Sequence, residues 1–261
     1  MAEVLVVDSG AETKSKRRLW LWIPLILITI IAIGAGGFVF WALNPFVEID
    51  DIAINALESS DTVTVTDRAW LAFLPHTPPT TGFIFYPGGR VPAEAYAPIA
   101  RQLAEEGYLS VIVYAPLNLA IFNPDAALPI MENFSAVEKW VVGGHSLGGS
   151  TASIFAENNP DAVDGIVFIA SYPVGDALID SDLIISSIYG TNDGLATVEN
   201  IDESRLNLPA NTSFIEIEGG NHAQFGYYGE QSGDNPATIT HEEQISQTID
   251  AILDVLSTVD Q

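Results

Sequence analysis

The chain has 261 residues, with nine Lys and Arg against 34 Asp and Glu, and no cysteine. A net charge of −25 argues against nucleic acid as a partner, because phosphate binding runs through basic side chains that displace counterions, and against docking of the globular part on anionic lipid. Without cysteine there is neither a disulfide framework nor a thiolate metal site, and the acidity is that of a domain kept soluble by its own charge.

Taken in chain order, the first feature is residues 20–43, WLWIPLILITIIAIGAGGFVFWAL, which carry no charge. As a helix this stretch runs about 36 Å against a hydrocarbon core of roughly 30 Å, so it spans a bilayer with some tilt. Trp20, Trp22 and Trp41 fall at its two ends, where an aromatic belt lies. Pro24 falls near the first turn, where it does least damage. Lys14, Lys16, Arg17 and Arg18 precede the stretch and no basic residue follows until Arg68, which predicts the N-terminus inside and the bulk of the chain outside. The competing reading is a signal peptide cleaved within residues 34–37; against it, the apolar run continues through FVFWAL. The expected organisation is a basic cytoplasmic tail (1–18), a transmembrane anchor (19–43), an acidic connection with helical potential (44–61) and a globular domain (62–261). Beyond residue 43 there are 31 acidic and five basic side chains, and no internal repeat.

In that domain apolar runs alternate with helical stripes. TVTVTD and RAWLAFL (62–74) read as two strands of a hairpin, and GFIFY (82–86) is a strand closed by Pro87-Gly88-Gly89. Residues 92–106 place Tyr96, Ile99, Ala100 and Leu103 on one stripe, which is helical spacing. LSVIVY (109–114) is a strand apolar on both faces; DAALPIMENF is a helix interrupted by Pro129. KWVV (139–142) is a strand, and residues 147–158 form a small-residue helix stopped by Pro160. Strands at 165–171, 183–189 and 213–218 follow. The last helix opens on a capping box, Thr240 with Glu243, and carries Ile245, Ile249, Ile252, Leu253 and Leu256 on one face. The alternation predicts an α/β layered sandwich around a mainly parallel sheet, whose reactive groups gather at the strand carboxyl ends.

At one such end stands GGHSLGG. Gly144-His145-Ser146-Leu147-Gly148 fits G-x-S-x-G between a strand and a helix, a sharp turn that exposes a serine hydroxyl and leaves no room for side chains two positions either side. A phosphate-binding loop is the competing reading, but its lysine and its G-x-G-x-x-G spacing are missing. A serine needs a base, and the base an orienting acid. Of four histidines, His76 lies in a Pro-rich turn, His145 is the variable residue of the serine turn and His241 begins the last helix. His222, in a glycine-rich loop after a strand, is the base. Asp193, just past the strand 183–189, is the acid; Asp176, one strand earlier, is the alternative. The Leu147 N–H is one oxyanion donor, and the second comes from Gly89 or Arg90 in the loop after GFIFY.

The order Ser, Asp, His together with FYPGGRV, GGHSLGG, YGTND and GGNHAQFGYYG resembles the α/β-hydrolase superfamily over about residues 55–257. More narrowly it is similar to small membrane-anchored bacterial members related to the dienelactone-hydrolase-like group. The resemblance implies an eight-stranded sheet, a Ser146–His222–Asp193 triad and ester-type hydrolysis. Dienelactone hydrolases proper use a cysteine nucleophile, which this chain lacks, so their substrate does not carry over.

The dozen residues between the strands ending near 171 and starting near 183 are too few for a helical cap, which predicts an open site. Leu119, Ile121 and Phe122 are candidates for an acyl pocket, and Phe225, Tyr227 and Tyr228 for a second wall, each weighed against ordinary core packing. Arg90, one of few basic residues outside the membrane, is a candidate for attracting a substrate carboxylate or phosphate, with a salt bridge to an acidic neighbour as the competing and favoured reading. The expected partner is a small-molecule ester or acyl substrate, and the two-step chemistry calls for no metal or organic cofactor.

Overall fold

The computed structural model of the chain describes residues 12–44 and 48–261, with side chains from residue 22 onward. It divides into two compact units, Met1–Asn44 and Pro45–Gln261. The first is helix α1 (Glu12–Leu43), in which Trp22–Leu43 has a mean hydropathy of 2.5 and is long and apolar enough to cross a membrane. The expectation for Pro24 is corrected here. The helix begins at Glu12, so the proline lies in its interior and interrupts the hydrogen-bond ladder, having no N–H to donate four residues back. Residues 1–11 of the expected tail, and the side chains of Lys14, Lys16, Arg17, Arg18 and Trp20, lie outside the described residues.

The second unit starts with α2 (Asp51–Asn55), where the Asp50 carboxylate caps the helix by accepting from Ile52 N–H at 2.7 Å. Residues 45–47 of the connection lie outside the described residues. Then follow β1 (Val63–Asp67), β2 (Trp70–Pro75), β3 (Thr81–Tyr86), α3 (Ala97–Glu105), β4 (Leu109–Val113) and α4 (Ala127–Asn133). The chain goes on through β5 (Lys139–His145), α5 (Leu147–Asn158), β6 (Gly165–Ile169), β7 (Ile184–Gly190), α6 (Val198–Ser204), β8 (Ser213–Ile217) and α7 (His241–Val259). Eight strands form one sheet in the order β1-β2-β4-β3-β5-β6-β7-β8, antiparallel in the β1–β2 and β2–β4 pairs and parallel elsewhere.

Period-two alternation divides the strand side chains between two cores. Phe83, Phe85 and Val141 face one layer with Ile99 and Leu103 of α3 and Ile249 and Ile252 of α7. Ile84, Tyr86 and Val142 face the other, with Ile130 of α4 and Phe155 of α5. Helices on both faces explain why β3 and β4 are buried along their whole length and read as unbroken apolar runs. From β3 the chain moves outward to β4 before returning to β5 on the other side of β3, and such a reversal opens a crevice at the strand carboxyl ends.

Several elements differ from expectation for local reasons. The helix expected over 92–106 opens as a 3-10 turn, Ala93–Tyr96, before α3 begins. Pro129 falls in the first turn of α4, where a missing N–H interrupts nothing. Strand β5 runs three residues past KWVV, its glycines still paired with β3 and β6. Helix α6 was not anticipated, because it buries only Ile201 and Ser204 and shows no stripe; its signal is the capping box of Thr197 and Asn200. The Thr240–Glu243 box does open α7, with Glu243 N–H donating to Thr240 Oγ1 at 3.2 Å and Thr240 N–H to Glu243 Oε2 at 2.8 Å. Between β6 and β7 there are turns and no helix, so no cap covers the sheet top.

Candidate active site

Ser146 joins β5 to α5 with φ 53° and ψ −122°, a left-handed conformation that is unfavourable for a residue with a side chain. Hydrogen bonds impose it. Ser146 N–H donates to Ile169 O at 2.9 Å, while Ser171 Oγ donates to Ser146 O at 2.6 Å. The flanking glycines have a steric cause. A Cβ at Gly148 would run into the Tyr86 carbonyl oxygen and lie 2.6 Å from that of Pro87; one at Gly144 would lie 2.6 Å from the Gly148 carbonyl carbon. Side chains are excluded at both positions, as the spacing of the motif implies.

Asp193 follows β7 and His222 follows β8, and both are buried. His222 Nδ1 lies 2.8 Å from Asp193 Oδ2. The other carboxylate oxygen, Oδ1, accepts from Leu195 N–H and Ala196 N–H, each at 2.7 Å. The acid is thus held from behind while one oxygen faces the imidazole. His222 Nε2 is buried without a hydrogen-bond partner, and no hydrogen bond joins it to Ser146 Oγ. Both residues line one cavity of about 280 Å³. Asp176, the alternative acid, is exposed in the loop between β6 and β7 and makes no bond to His222.

The rest of that cavity is formed by Leu147 and Ser150 of α5, Ala170, Ser171 and Tyr172 after β6, and Leu195 with Ala196. Two of its hydroxyl groups are engaged: Ser150 Oγ donates to Tyr172 O at 2.9 Å and Ser171 Oγ to Ser146 O. Among the described residues, no Lys, Arg, Asp or Glu lines it. Two larger cavities, about 460 and 620 Å³, open elsewhere and touch neither Ser146 nor His222. The strained serine and the unpartnered imidazole nitrogen both line the smaller cavity and neither of the larger ones.

Gly89 packs beside Leu147, a Cβ built on it falling 3.3 Å from Leu147 Cδ2. The N–H groups of Gly89 and Leu147 make no hydrogen bond among the described residues. Arg90 departs from expectation: its N–H already donates to Asn118 O at 2.6 Å, at a φ of 62°, and its side chain does not line the cavity. The substrate-wall candidates are also corrected. Leu119 packs over Gly89 outside the cavity lining, and Phe122 is exposed away from it. Phe225 is fully buried, its ring 6.0 Å from that of His145, so it belongs to the core; Tyr227 and Tyr228 are buried as well. Sequence reasoning missed Ser150 of α5 and the loop residues Ser171, Tyr172 and Leu195, because nothing local marks such residues as a wall.

His145 does stand in the serine turn, and the fold adds partners to it. It is buried, its ring 4.4 Å from that of His222, and Nδ1 lies 2.9 Å from Tyr96 Oη, which also accepts from Gly88 N–H at 3.1 Å. With that N–H donating to it, the hydroxyl is free to turn its own proton onto Nδ1, linking the Gly88–Gly89 loop to the floor beneath His222. Burial, and next the His222 ring, hold the His145 pKa well below the ordinary 6.5, against a smaller opposing pull from the His222 backbone. Because the folded value is depressed, the unfolded chain binds a proton that the folded chain does not once pH falls below about 6.5. Stability is therefore present above that value and lost below it, by up to about 1.4 kcal/mol per pH unit for one proton. In urea titrations between pH 7 and 5 the His145→Gln variant is expected to show a slope shallower by one proton; an unchanged slope would refute the assignment.

The comparisons with known proteins now have a geometry to stand beside. A family model described as "Alpha/beta hydrolase family" matches residues 82–246. No curated protein matches the chain. Among solved structures, a predicted CIB-like hydrolase from Thermoplasma acidophilum is similar at 14% identity and a TM-score of 0.53, over 74% of this chain and 98% of that one. Est1E from Butyrivibrio proteoclasticus is similar at 12% identity and a TM-score of 0.55, over 76% of this chain and 100% of that one. The esterase domain of a Rhodothermus marinus protein gives 15% identity and a TM-score of 0.50, over 62% and 89%. Identities this low speak for the shared fold and not for a shared substrate. The family model spans β3 through the start of α7, more than half of the residues, and on that ground this chain belongs to the alpha/beta hydrolase family.

Proposed function

We propose that this protein is a serine hydrolase acting on ester-type acyl bonds, held at a membrane by residues 19–43 with its globular domain on the outer face. The observation that carries the chemistry is the cavity shared by a strained Ser146 and an unpartnered His222 Nε2 whose ring is backed by buried Asp193. As a carboxylate Asp193 only accepts, so Nδ1 carries the imidazole proton and Nε2 presents a lone pair toward the serine side. The mechanism requires the Ser146 hydroxyl to reach that lone pair, a contact that often tightens only when substrate is bound.

Ser146 Oγ attacks the acyl carbon as its proton passes to His222 Nε2. The negative charge on the former carbonyl oxygen is received by the Leu147 and Gly89 N–H groups, the first of them also at the positive end of the α5 dipole. His222 then gives the proton to the leaving alcohol. Water, deprotonated by the same nitrogen, releases the acid and restores the serine. A cavity without charged walls supports an uncharged acyl group as the part that is bound.

The test is a panel of chromogenic esters, thioesters and amides on the full chain in detergent, with active sites counted by a fluorophosphonate probe. Turnover of esters with one label per chain is expected. Turnover confined to thioesters or amides would replace the bond class, and no label and no turnover would leave a binding protein on a hydrolase fold. The tether has its own test, made simple because the chain has no cysteine. A single cysteine at exposed Ser257 is expected to react with an impermeant maleimide from outside intact cells; labelling only after lysis would reverse the orientation.

A further inference from the structure

The catalytic reading requires Asp193 and His222, which come from different loops, to keep one separation. We propose that Asp234 is a positioning residue that clamps those two loops together. It rests on the triad reading above and concerns a residue that lies outside the cavity holding Ser146. Its carboxylate is a two-armed bridge. Oδ1 accepts from Gly194 N–H at 3.0 Å, the residue after Asp193, and from Asn235 N–H at 2.9 Å. Oδ2 accepts from Ala223 N–H at 2.8 Å, the residue after His222.

The same strap is also tied to the residues before the pair. Asn221 Nδ2 donates to Asn235 O at 2.8 Å and Asn192 Nδ2 to Pro236 O at 3.2 Å. Acid and base are thus each pinned on both sides to one short segment, residues 234–236. Bonds from backbone N–H to a carboxylate are among the stronger ones, and two arms on one rigid group set the distance between the two backbones. The 2.8 Å contact between His222 and Asp193 is the dimension so held. Because Asp234 touches no substrate, its loss acts on the chemical step and not on binding.

The experiment uses the full chain in detergent and the variant Asp234→Asn, nearly the same in shape but with one arm turned from acceptor to donor. We expect kcat to fall about 10- to 100-fold, with KM within about twofold of the parent. The proton between His222 Nδ1 and Asp193, followed by ¹H NMR, is expected to shift and broaden. Asp164→Asn serves as the structural control. Asp164 makes a similar pair of bonds, to Trp140 N–H at 2.9 Å and Lys139 Nζ at 3.0 Å, at the opposite end of the strands. It is expected to lower the melting temperature while leaving kcat and the resonance unchanged. If Asp234→Asn behaves in the same way, or like the parent, while Ser146→Ala is inactive, the clamp is wrong and the triad stands. Activity retained in Ser146→Ala removes the triad and the clamp with it.

Discussion

Replacing Ser146 by alanine is expected to lower kcat by about 10⁶-fold and to abolish labelling by a fluorophosphonate. The magnitude follows from the acyl-enzyme route, in which Ser146 is the hydroxyl held in a strained turn in the same cavity as the His222 base. The other hydroxyls there belong to Ser150 and Ser171, each already donating to a carbonyl, and to Tyr172, which is exposed at the cavity wall. The fold is expected to survive, since Ala meets the same backbone restriction as Ser at φ 53°. A built-in check on that point is Ser146→Gly, which relieves the left-handed strain and is expected to be equally inactive but to melt at a higher temperature than the alanine variant. Full labelling of either variant would place the nucleophile elsewhere and end the proposed mechanism.

Asp193→Asn is expected to lower kcat by about 10⁴-fold with little change in melting temperature. The reason lies in which donors surround the side chain. Oδ1 accepts from Leu195 and Ala196 N–H groups, and Oδ2 faces His222 Nδ1. An amide at 193 satisfies the two backbone donors only with its oxygen, so its NH₂ group turns to the imidazole. The opposite orientation sets that NH₂ against two N–H groups, of which that of Ala196 is buried and would be left unsatisfied at about 1–3 kcal/mol. In the favoured orientation His222 must accept at Nδ1 and carry its proton on Nε2, where it no longer takes one from Ser146. Kinetics together with ¹⁵N NMR of the imidazole check both halves, and a loss under about tenfold with the parental tautomer would rule the argument out.

These expectations also show which parts of the molecule were legible beforehand. The serine turn was readable because its glycines stand side by side in the chain around one serine, although the clashes that require Gly148 come from Tyr86 and Pro87 at the end of a different strand. The stripe of α7 and its capping box were readable for the same reason, since both depend on residues within a few positions of one another. Helix α6 was not, because it buries two residues and its stability rests on a cap. Arg90 drew attention as a rare cation, yet what its backbone does depends on Asn118, in a loop after a different strand. His145 was set aside as a variable turn residue, although the fold buries it against Tyr96 and His222.

The amino-acid sequence by itself determined the layered α/β architecture, the long apolar N-terminal segment, the glycine-flanked turn at Ser146 and a short list of candidate partners for it. These follow from periodicity, composition and motif spacing, which relate residues near in the chain. The tertiary structure decided the rest: that Asp193 and not Asp176 meets His222, that the cavity walls come from α5 and the loops after β6 and β7, and that Asp234 joins the loop of Asp193 to the loop of His222. Each of these is a contact between segments far apart in the chain. The direction a loop side chain takes there is set by what the sheet brings next to it, which no local pattern records.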